Sequence, residues 1–236
     1  MKVTKGIIWE NDQIVCIALG QSNNTKTGNM VQSYILVKDT DPITANRLGL
    51  DTLICGNCPH KGTPNPNKPS GNADKRSCYV NLVQGVLKVW KAYKAGKYPL
   101  LSEAEIIALG ENRMVRIGTY GDGAFVPASV WNLLTSKAQG KTAYTHQGLE
   151  QDSFYMQSAE SLEQANKAWA QGKRTFRVIP VVTALDTKNE VLCPASKEAG
   201  MKTTCNTCGL CDGNKQAKSI AIVAHGTGRG NFKGAI

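Results

Sequence analysis

Residues 114–145 have the sequence MVRIGTYGDGAFVPASVWNLLTSKAQGKTAYT, and this stretch decides the fold class. It begins with an apolar run and a glycine-rich turn, and Pro127 then stands in the first turn of a helix predicted over residues 127–138. A second extended run, residues 142–145, ends the stretch. A strand, a helix and a strand of these lengths form a right-handed crossover between parallel strands. The stretch therefore predicts an α/β fold with a parallel sheet.

The same alternation continues on both sides of this stretch. Helices are predicted over residues 83–95, 102–109 and 162–171, and strands over residues 154–158, 175–182 and 220–224. Ser102 forms a capping box with Glu105, and Ser161 is the N-cap of the last helix. The chain has 236 residues, the usual size of one α/β barrel. We therefore predict a single domain, residues 1–236, built as a TIM-like parallel barrel that is irregular or incomplete.

The first 40 residues differ from the rest of the chain. Apolar runs at residues 6–9, 14–19 and 31–37 are separated by polar turn residues, which is typical of antiparallel strands. A short helix over residues 43–48 and a brief strand over residues 51–54 are predicted to follow. Residues 1–40 are therefore predicted to form an N-terminal antiparallel β element beside the barrel.

Four cysteines near the end of the chain have the spacing of metal ligands. Residues 205–211, CNTCGLC, place Cys205, Cys208 and Cys211 in a doubled CxxC pattern, and Cys193 supplies a fourth thiol. Four thiolates close a tetrahedral site, as structural zinc requires. We therefore predict a Cys-rich metal-binding insertion at residues 193–211, with zinc as the favoured ion.

Three further cysteines lie nearer the front. Cys55 and Cys58 form one CxxC pair, and Cys78 follows after a loop rich in proline, glycine, asparagine and lysine. These three with His60 suit zinc, whereas three thiolates alone suit an iron-sulfur cluster with one iron left open. Isolated structural thiols are a third alternative. Cys16, inside an apolar run, is predicted to be a core residue.

Polar residues follow several predicted strands, at the edge where parallel α/β folds place their active sites. Asp122 follows residues 114–118 between two glycines and is the leading catalytic candidate, as nucleophile or base; the alternative is a simple turn. His146 and Glu160 are candidates for acid/base catalysis, with helix or strand capping as their alternative. The predicted substrate-binding residues are Arg116, Tyr120, Gly121, Gly123, Gln147 and His225.

The charge of the chain indicates the class of its partners. The formal net charge is +10, from 28 Lys and Arg against 18 Asp and Glu, which favours a polyanion such as nucleic acid. No apolar run approaches the roughly 18 to 20 residues that span a bilayer, so no membrane partner is expected. No apolar signal segment follows Met1, and we therefore expect a cytoplasmic protein whose thiols are reduced rather than paired in disulfides.

Several motifs in a fixed order resemble a group of phage and prophage proteins rich in cysteine. They are residues 55–59 (CGNCP), 78–79 (CY), 116–118 (RIG), 121–122 (GD), 144–146 (YTH), the last cysteine group and 224–226 (AHG). These proteins are similar to the tRNA-guanine transglycosylase superfamily of barrel enzymes, which includes phage DNA-modifying members. That resemblance implies Asp122 as nucleophile, and a zinc site made by the last three cysteines with Cys193 or His225. The front cysteines have no counterpart in that superfamily.

A second resemblance is to the radical S-adenosylmethionine superfamily, in which three cysteines after the first strand hold a cluster with one open iron. The front cysteines occupy that place, with a wider spacing. The leading prediction is thus an enzyme that exchanges a base at guanine in DNA and contains structural zinc. Its small-molecule partner would be a modified base, and it would act in the cytoplasm of a bacterial host. The alternatives are an iron-sulfur enzyme and a non-enzymatic, zinc-stabilised DNA-binding phage protein.

Overall fold

The computed structural model of the chain describes residues 3–21, 25–148 and 153–234. Within these ranges the strands form two five-stranded sheets. The first sheet has the order β1-β2-β3-β4-β5. Its strands are β1 (Lys5–Glu10), β2 (Ile14–Leu19), β3 (Val31–Val37), β4 (Met114–Tyr120) and β5 (Gly140–Thr142).

The N-terminal part of this sheet is antiparallel, as predicted. β1 pairs with β2 and β2 with β3 in antiparallel fashion, whereas β3 pairs with β4 and β4 with β5 in parallel. β2 and β3 are buried along almost their whole length because both of their faces are covered. Cys16 on β2 is fully buried in the core, as the apolar run around it predicts.

The second sheet is entirely parallel in its described part and has the order β6-β7-β8-β10-β9. Its strands are β6 (Tyr144–Thr145), β7 (Met156–Ala159), β8 (Thr175–Ile179), β9 (Glu190–Leu192) and β10 (Ser219–Val223). Strand β9 was not predicted, because three residues give too short a pattern for periodicity to detect.

The predicted TIM-like barrel is not observed. The segment Gly140–Thr145 supplies β5 to the first sheet and β6 to the second, and Ala143 alone separates them. The N–H of Ala143 donates to Cys211 O (3.1 Å), and its carbonyl accepts from Met156 N (2.9 Å). Both hydrogen-bond partners of the Ala143 backbone therefore lie outside the first sheet. No helix separates β5 from β6, and the strand–helix alternation that a TIM barrel requires is broken here. The molecule is a mixed α/β fold with two sheets that are rich in parallel pairs.

Helices pack around these sheets. They are α1 (Pro42–Leu48), α2 (Thr52–Cys55), α3 (Leu87–Lys94, preceded by a π-turn Leu82–Val86), α4 (Glu103–Gly110), α5 (Ala128–Thr135), α6 (Leu162–Ala170) and α7 (Cys205–Cys208). The capping box of Ser102 with Glu105 and the Ser161 N-cap are confirmed. No helix in the described ranges has the length and apolar character needed to cross a bilayer.

The prediction of a strand over residues 51–54 is wrong, since this stretch is the single turn of α2. The carbonyl of Asp51 accepts hydrogen bonds from the N–H groups of Ile54 (3.0 Å) and Cys55 (2.8 Å), which winds the backbone into a helix. The Asp51 carboxylate also accepts from the buried Asn46 amide (2.7 Å). A buried side chain that is fixed in this way overrides the weak strand preference of four residues.

The long loop between Cys58 and Cys78 is held by ordinary hydrogen bonds. Thr63 and Asp74 exchange backbone bonds of 2.8 and 2.9 Å, which pairs the two arms of the loop. Asn46 accepts from Ala73 N (2.9 Å) and donates to Lys61 O (2.8 Å), so that its buried amide fastens both arms to α1. These hydrogen bonds hold the two arms of the loop together and against α1.

Candidate functional site

One cavity of about 390 Å³ lies at the C-terminal ends of the parallel strands. Residues from both sheets line it, including Tyr120 at the end of β4, His146 after β6, Glu160 after β7 and His225 after β10. Cysteines of both groups also line it, namely all of those in the first group and all but Cys208 in the second. We call Cys55, Cys58 and Cys78 the front cysteines, and Cys193, Cys205, Cys208 and Cys211 the rear cysteines.

The front cysteines are free thiols on three neighbouring pieces of chain: the end of α2, the start of the 3₁₀ turn Pro59–Lys61, and the end of the long loop. Burial, together with the charges of Cys58 and Cys78, raises the pKa of Cys55 well above its ordinary value. Burial and the charge of Cys78 raise the pKa of Cys58 to about 12. Thiols that hinder one another's ionisation in this way suit a site in which a cation compensates the charge.

The rear cysteines come together from three segments. Helix α7 is capped by Thr204, and its Cys205 N–H donates to Lys26 O (3.0 Å) in the loop before β3. Cys193 follows β9 and donates its N–H to Ala221 O (2.7 Å) on β10. Burial and the other rear cysteines raise the pKa of Cys211 to about 12, against a hydrogen bond with Tyr144 that lowers it. The other three rear thiols are therefore electrostatic neighbours of Cys211.

Neither cysteine group has the compact spacing of a single-zinc site. Four thiolates at about 2.3 Å from one tetrahedral zinc are about 3.8 Å apart. Among the described residues, the only group of three or more ligand atoms that all lie within 4.8 Å of one another is His60, His146 and Glu160. The four-cysteine zinc site therefore stays a prediction, and His60 lies beside His146 and Glu160.

Asp122 is a hydrogen-bond acceptor at the junction of the two sheets. It is 8% exposed, and its Oδ1 accepts from Ala124 N (3.0 Å). Its Oδ2 accepts from Thr145 Oγ1 (3.0 Å), His146 N (2.9 Å) and Gln147 Nε2 (3.3 Å). A carboxylate with four donors is stabilised in one position, and here it fixes the chain that follows β6.

Glu160 joins two histidines. Its Oε1 lies 2.8 Å from His146 Nε2, and its Oε2 lies 3.0 Å from His60 Nε2. The second ring nitrogen of His60, Nδ1, lies 2.8 Å from Ser77 Oγ. Burial raises the pKa of Glu160, but the two histidines outweigh burial and lower it to about 2. Glu160 is therefore a carboxylate at neutral pH. The structure brings together the three predicted catalytic residues, since Asp122 bonds to the backbone of His146.

Arg116 lines the cavity from β4 and is 9% exposed. Its guanidinium donates to the hydroxyl of Tyr79, whose ring stacks on His225 with centroids 5.2 Å apart. No carboxylate within 4.0 Å pairs with Arg116 among the described residues. Tyr120 also lines the cavity, and its buried hydroxyl has no hydrogen-bond partner in the same part of the chain.

The two glycines beside Asp122 have packing roles. A Cβ on Gly121 would lie 2.7 Å from the Cβ of Ile35, and one on Gly123 would lie 2.6 Å from Ile117 Cγ2. Gln147 donates to Cys55 O (3.3 Å) as well as to Asp122, so it links the two segments.

Sequence reasoning missed other residues around the histidines. Phe232 stacks on the His60 ring with centroids 5.8 Å apart, and Ser77 binds its Nδ1. Tyr144 forms a hydrogen bond with Cys211. Ser77 directly precedes Cys78, and this position could have indicated that it lies near the site. Phe232 stands among small and polar residues near the end of the chain, and no pattern there indicates its contact.

Comparisons with known proteins add no evidence on function, which therefore has to be argued from the geometry of the site. No family model, curated protein or solved structure matches the chain.

Proposed function

We propose that the chain is an iron-sulfur enzyme whose substrate binds in the cavity between the front and rear cysteines. The observation that carries this proposal is the convergence of both cysteine groups on one cavity at the C-terminal ends of parallel strands. Structural zinc sites have no need of a cavity, because four protein ligands close them. Two groups of cysteines that line one cavity suit a role in a reaction that takes place in that cavity.

The spacing of the thiols supports a cluster over a single ion. In each group, neighbouring thiols help to raise the pKa of one member, Cys55 or Cys211, yet among the described residues neither group has three thiols within 4.8 Å of one another. A cluster of several irons is wider than one zinc ion and holds its cysteines farther apart. The front cysteines would leave one iron open, whereas the four rear cysteines would complete the ligands of a second cluster.

When bound, an open cluster supplies single electrons and a coordination position for a substrate or cosubstrate. The residues of this chain tune that site. The hydroxyl of Tyr120 is buried near Cys55 without a partner among the described residues, and can donate a hydrogen bond to sulfur. Asp122 and Gln147 hold the chain after β6 against the backbone of Cys55, which fixes the wall of the cavity.

The residues that line the cavity suit an anionic substrate that contains a ring. The favoured substrate is a nucleotide unit of DNA. Arg116 is a buried cation without a carboxylate partner among the described residues, and a substrate phosphate would supply one. The stacked pair of Tyr79 and His225 offers a flat surface to a base. The net charge of +10 favours approach of a polyanion.

Base exchange through Asp122 is supported less well by these contacts. A nucleophilic carboxylate must turn an oxygen towards the sugar, whereas both oxygens of Asp122 accept hydrogen bonds from the chain. The geometry favours a positioning role for this residue. Exchange of a labelled base into DNA by the wild-type protein, abolished in Asp122→Asn, would restore the nucleophile hypothesis.

The first test is the metal content of protein prepared without oxygen. We expect iron and acid-labile sulfide with a brown colour in the wild type. Cys58→Ala is expected to lose the front cluster, whereas Cys16→Ala removes a thiol from the core and leaves the iron content unchanged. Wild-type protein that contains zinc and neither iron nor sulfide, even after reconstitution with both, would overturn the proposal.

The second test concerns the substrate class. Arg116→Gln is expected to weaken binding of a short DNA strand by about 10- to 100-fold, since one charged hydrogen-bonding group is lost. Arg229→Gln is the matched control, because Arg229 is exposed. Equal binding by both variants would remove nucleic acid as the ligand of the cavity.

A further inference from the structure

The geometry points to a second metal site, separate from both cysteine groups, in which His60, His146 and Glu160 bind one divalent transition-metal ion. The ligand atoms of these three residues all lie within 4.8 Å of one another. Two histidines and a carboxylate are the ligand set of non-haem iron(II) sites and of several catalytic zinc sites. Such a site leaves coordination positions open, here towards the cavity.

The distances within the triad fit one ion. Bonds of about 2.0–2.2 Å from a metal to histidine nitrogen and carboxylate oxygen place neighbouring ligand atoms about 3 Å apart. The observed separations are 2.8 Å from Glu160 Oε1 to His146 Nε2 and 3.0 Å from Oε2 to His60 Nε2. The two rings are nearly perpendicular, with an interplanar angle of 72°. The two short distances place both Nε2 atoms beside the same carboxylate.

The Nε2 atom of His60 gives an independent reason for a metal. It is buried and makes no hydrogen bond of acceptable geometry within the described residues, although a Glu160 oxygen lies only 3.0 Å away. In the tautomer whose Nδ1–H donates to Ser77 Oγ, the lone pair of Nε2 is available for coordination. Buried polar atoms in native proteins rarely lack a partner.

The surroundings of the triad match those of metal-binding histidines. A ligating histidine usually makes a hydrogen bond through its other ring nitrogen, which fixes the tautomer. Ser77 Oγ occupies this position at 2.8 Å from His60 Nδ1, and Phe232 covers the face of the same ring. The backbone of His146 is fixed by Asp122. Both rings are therefore held before any ion binds.

The triad also has a path to solvent. His146 and Glu160 line the main cavity and also a second, more open depression bordered by Gln164 and Lys167 of α6. An ion can therefore enter from the surface while its open positions face the substrate. The site contains no thiol, so it does not depend on the proposed clusters.

The test is equilibrium dialysis of the full-length protein, prepared without oxygen, against Co²⁺ as the probe, with X-ray absorption at the cobalt edge. We expect one Co²⁺ per chain surrounded by nitrogen and oxygen at about 2.0–2.2 Å, without sulfur at about 2.3 Å. Glu160→Gln and His146→Asn are expected to lower the affinity by more than about 100-fold, since loss of a hydrogen-bonding neighbour alone costs about 10- to 100-fold.

A matched control accompanies these variants. Glu163→Gln changes an exposed carboxylate on the adjacent helix and is expected to bind Co²⁺ as the wild type does. Ser77→Ala keeps all three ligands and is expected to weaken binding by about 10- to 100-fold. Cobalt bound only through sulfur, or equal affinities in Glu160→Gln and Glu163→Gln, would overturn the proposal.

Discussion

The backbone N–H of His146 donates a 2.9 Å hydrogen bond to Oδ2 of Asp122. This bond joins the chain after β6, in the second sheet, to the loop after β4, in the first. The ring of the same histidine reaches Glu160. The position of a candidate metal ligand is thus set by a carboxylate that need not contact the ion.

Replacement of Asp122 by asparagine should destabilise the protein. An asparagine amide must turn its NH₂ group towards donors on one side, which leaves buried groups unsatisfied and costs about 1–3 kcal/mol. We expect this loss in the free energy of unfolding measured with urea. Asp39→Asn, at a position with 82% side-chain exposure, is the control and should change stability by less than about 0.5 kcal/mol. Equal stability of the two variants would contradict the positioning role.

The buried ion pair of the second sheet gives another prediction. Arg177 on β8 donates to both oxygens of Glu190 on β9, at 2.8 and 2.6 Å, across the small Ala221 of β10. Glu190→Gln leaves an uncompensated buried cation and should cost about 3–5 kcal/mol. Urea unfolding measures the change. Glu163→Gln, on the exposed face of α6, should be nearly neutral, and a neutral result for Glu190→Gln would refute the argument.

Gly121 and Gly172 provide a matched pair for the packing around the site. Both have positive φ angles, +82° and +71°, so alanine strains either backbone by about 1–2 kcal/mol. Only Gly121 faces a close neighbour, Ile35, whereas nothing lies within 4 Å of a Cβ on Gly172. Gly121→Ala should therefore cost about 1–3 kcal/mol more than Gly172→Ala in thermal or urea unfolding. Equal losses would show that the close contact with Ile35 is unimportant.

Acid should loosen the loop between the front cysteines. Hydrogen bonds from Asn65 and Lys68 lower the pKa of Asp74 below 3.8. A lowered pKa in the folded state means that the stabilisation is complete above 3.8 and is lost as the pH falls through the lower, folded value. Hydrogen exchange at the Thr63 amide, which pairs with Asp74 O, should report this opening. In Asp74→Asn the same amide should lose this part of its pH dependence; an unchanged profile would contradict the prediction.

Local patterns predicted the parts of the fold that local interactions determine. The three N-terminal strands and the caps of α4 and α6 follow from alternation and from side chains within one turn. The strand-end rule brought Asp122, His146 and Glu160 together, because the C-terminal ends of parallel strands meet at one edge. These predictions required no knowledge of long-range contacts.

The rest depends on contacts between distant parts of the chain. The helix α2 forms because Asn46, on another helix, anchors Asp51. The pairing of His60 with His146 and Glu160, and the cover by Phe232, join segments that no spacing rule connects. The barrel prediction failed where Gly140–Thr145 passes from one sheet to the other without a helix. Sequence spacing recognised two cysteine groups but could not show that they share a cavity.

The attachment of α7 to the loop before β3 has a consequence for the order of folding. Lys26 O and Thr27 O accept hydrogen bonds from Cys205 N (3.0 Å) and Asn206 N (3.1 Å), so the early loop and the late helix are each other's partners. On the ribosome the early loop emerges long before α7 and must wait for it. Contacts of such high sequence separation form late and slowly. Assembly of the rear cysteines is therefore expected to be the last step of maturation, completed only after most of the chain has been synthesised.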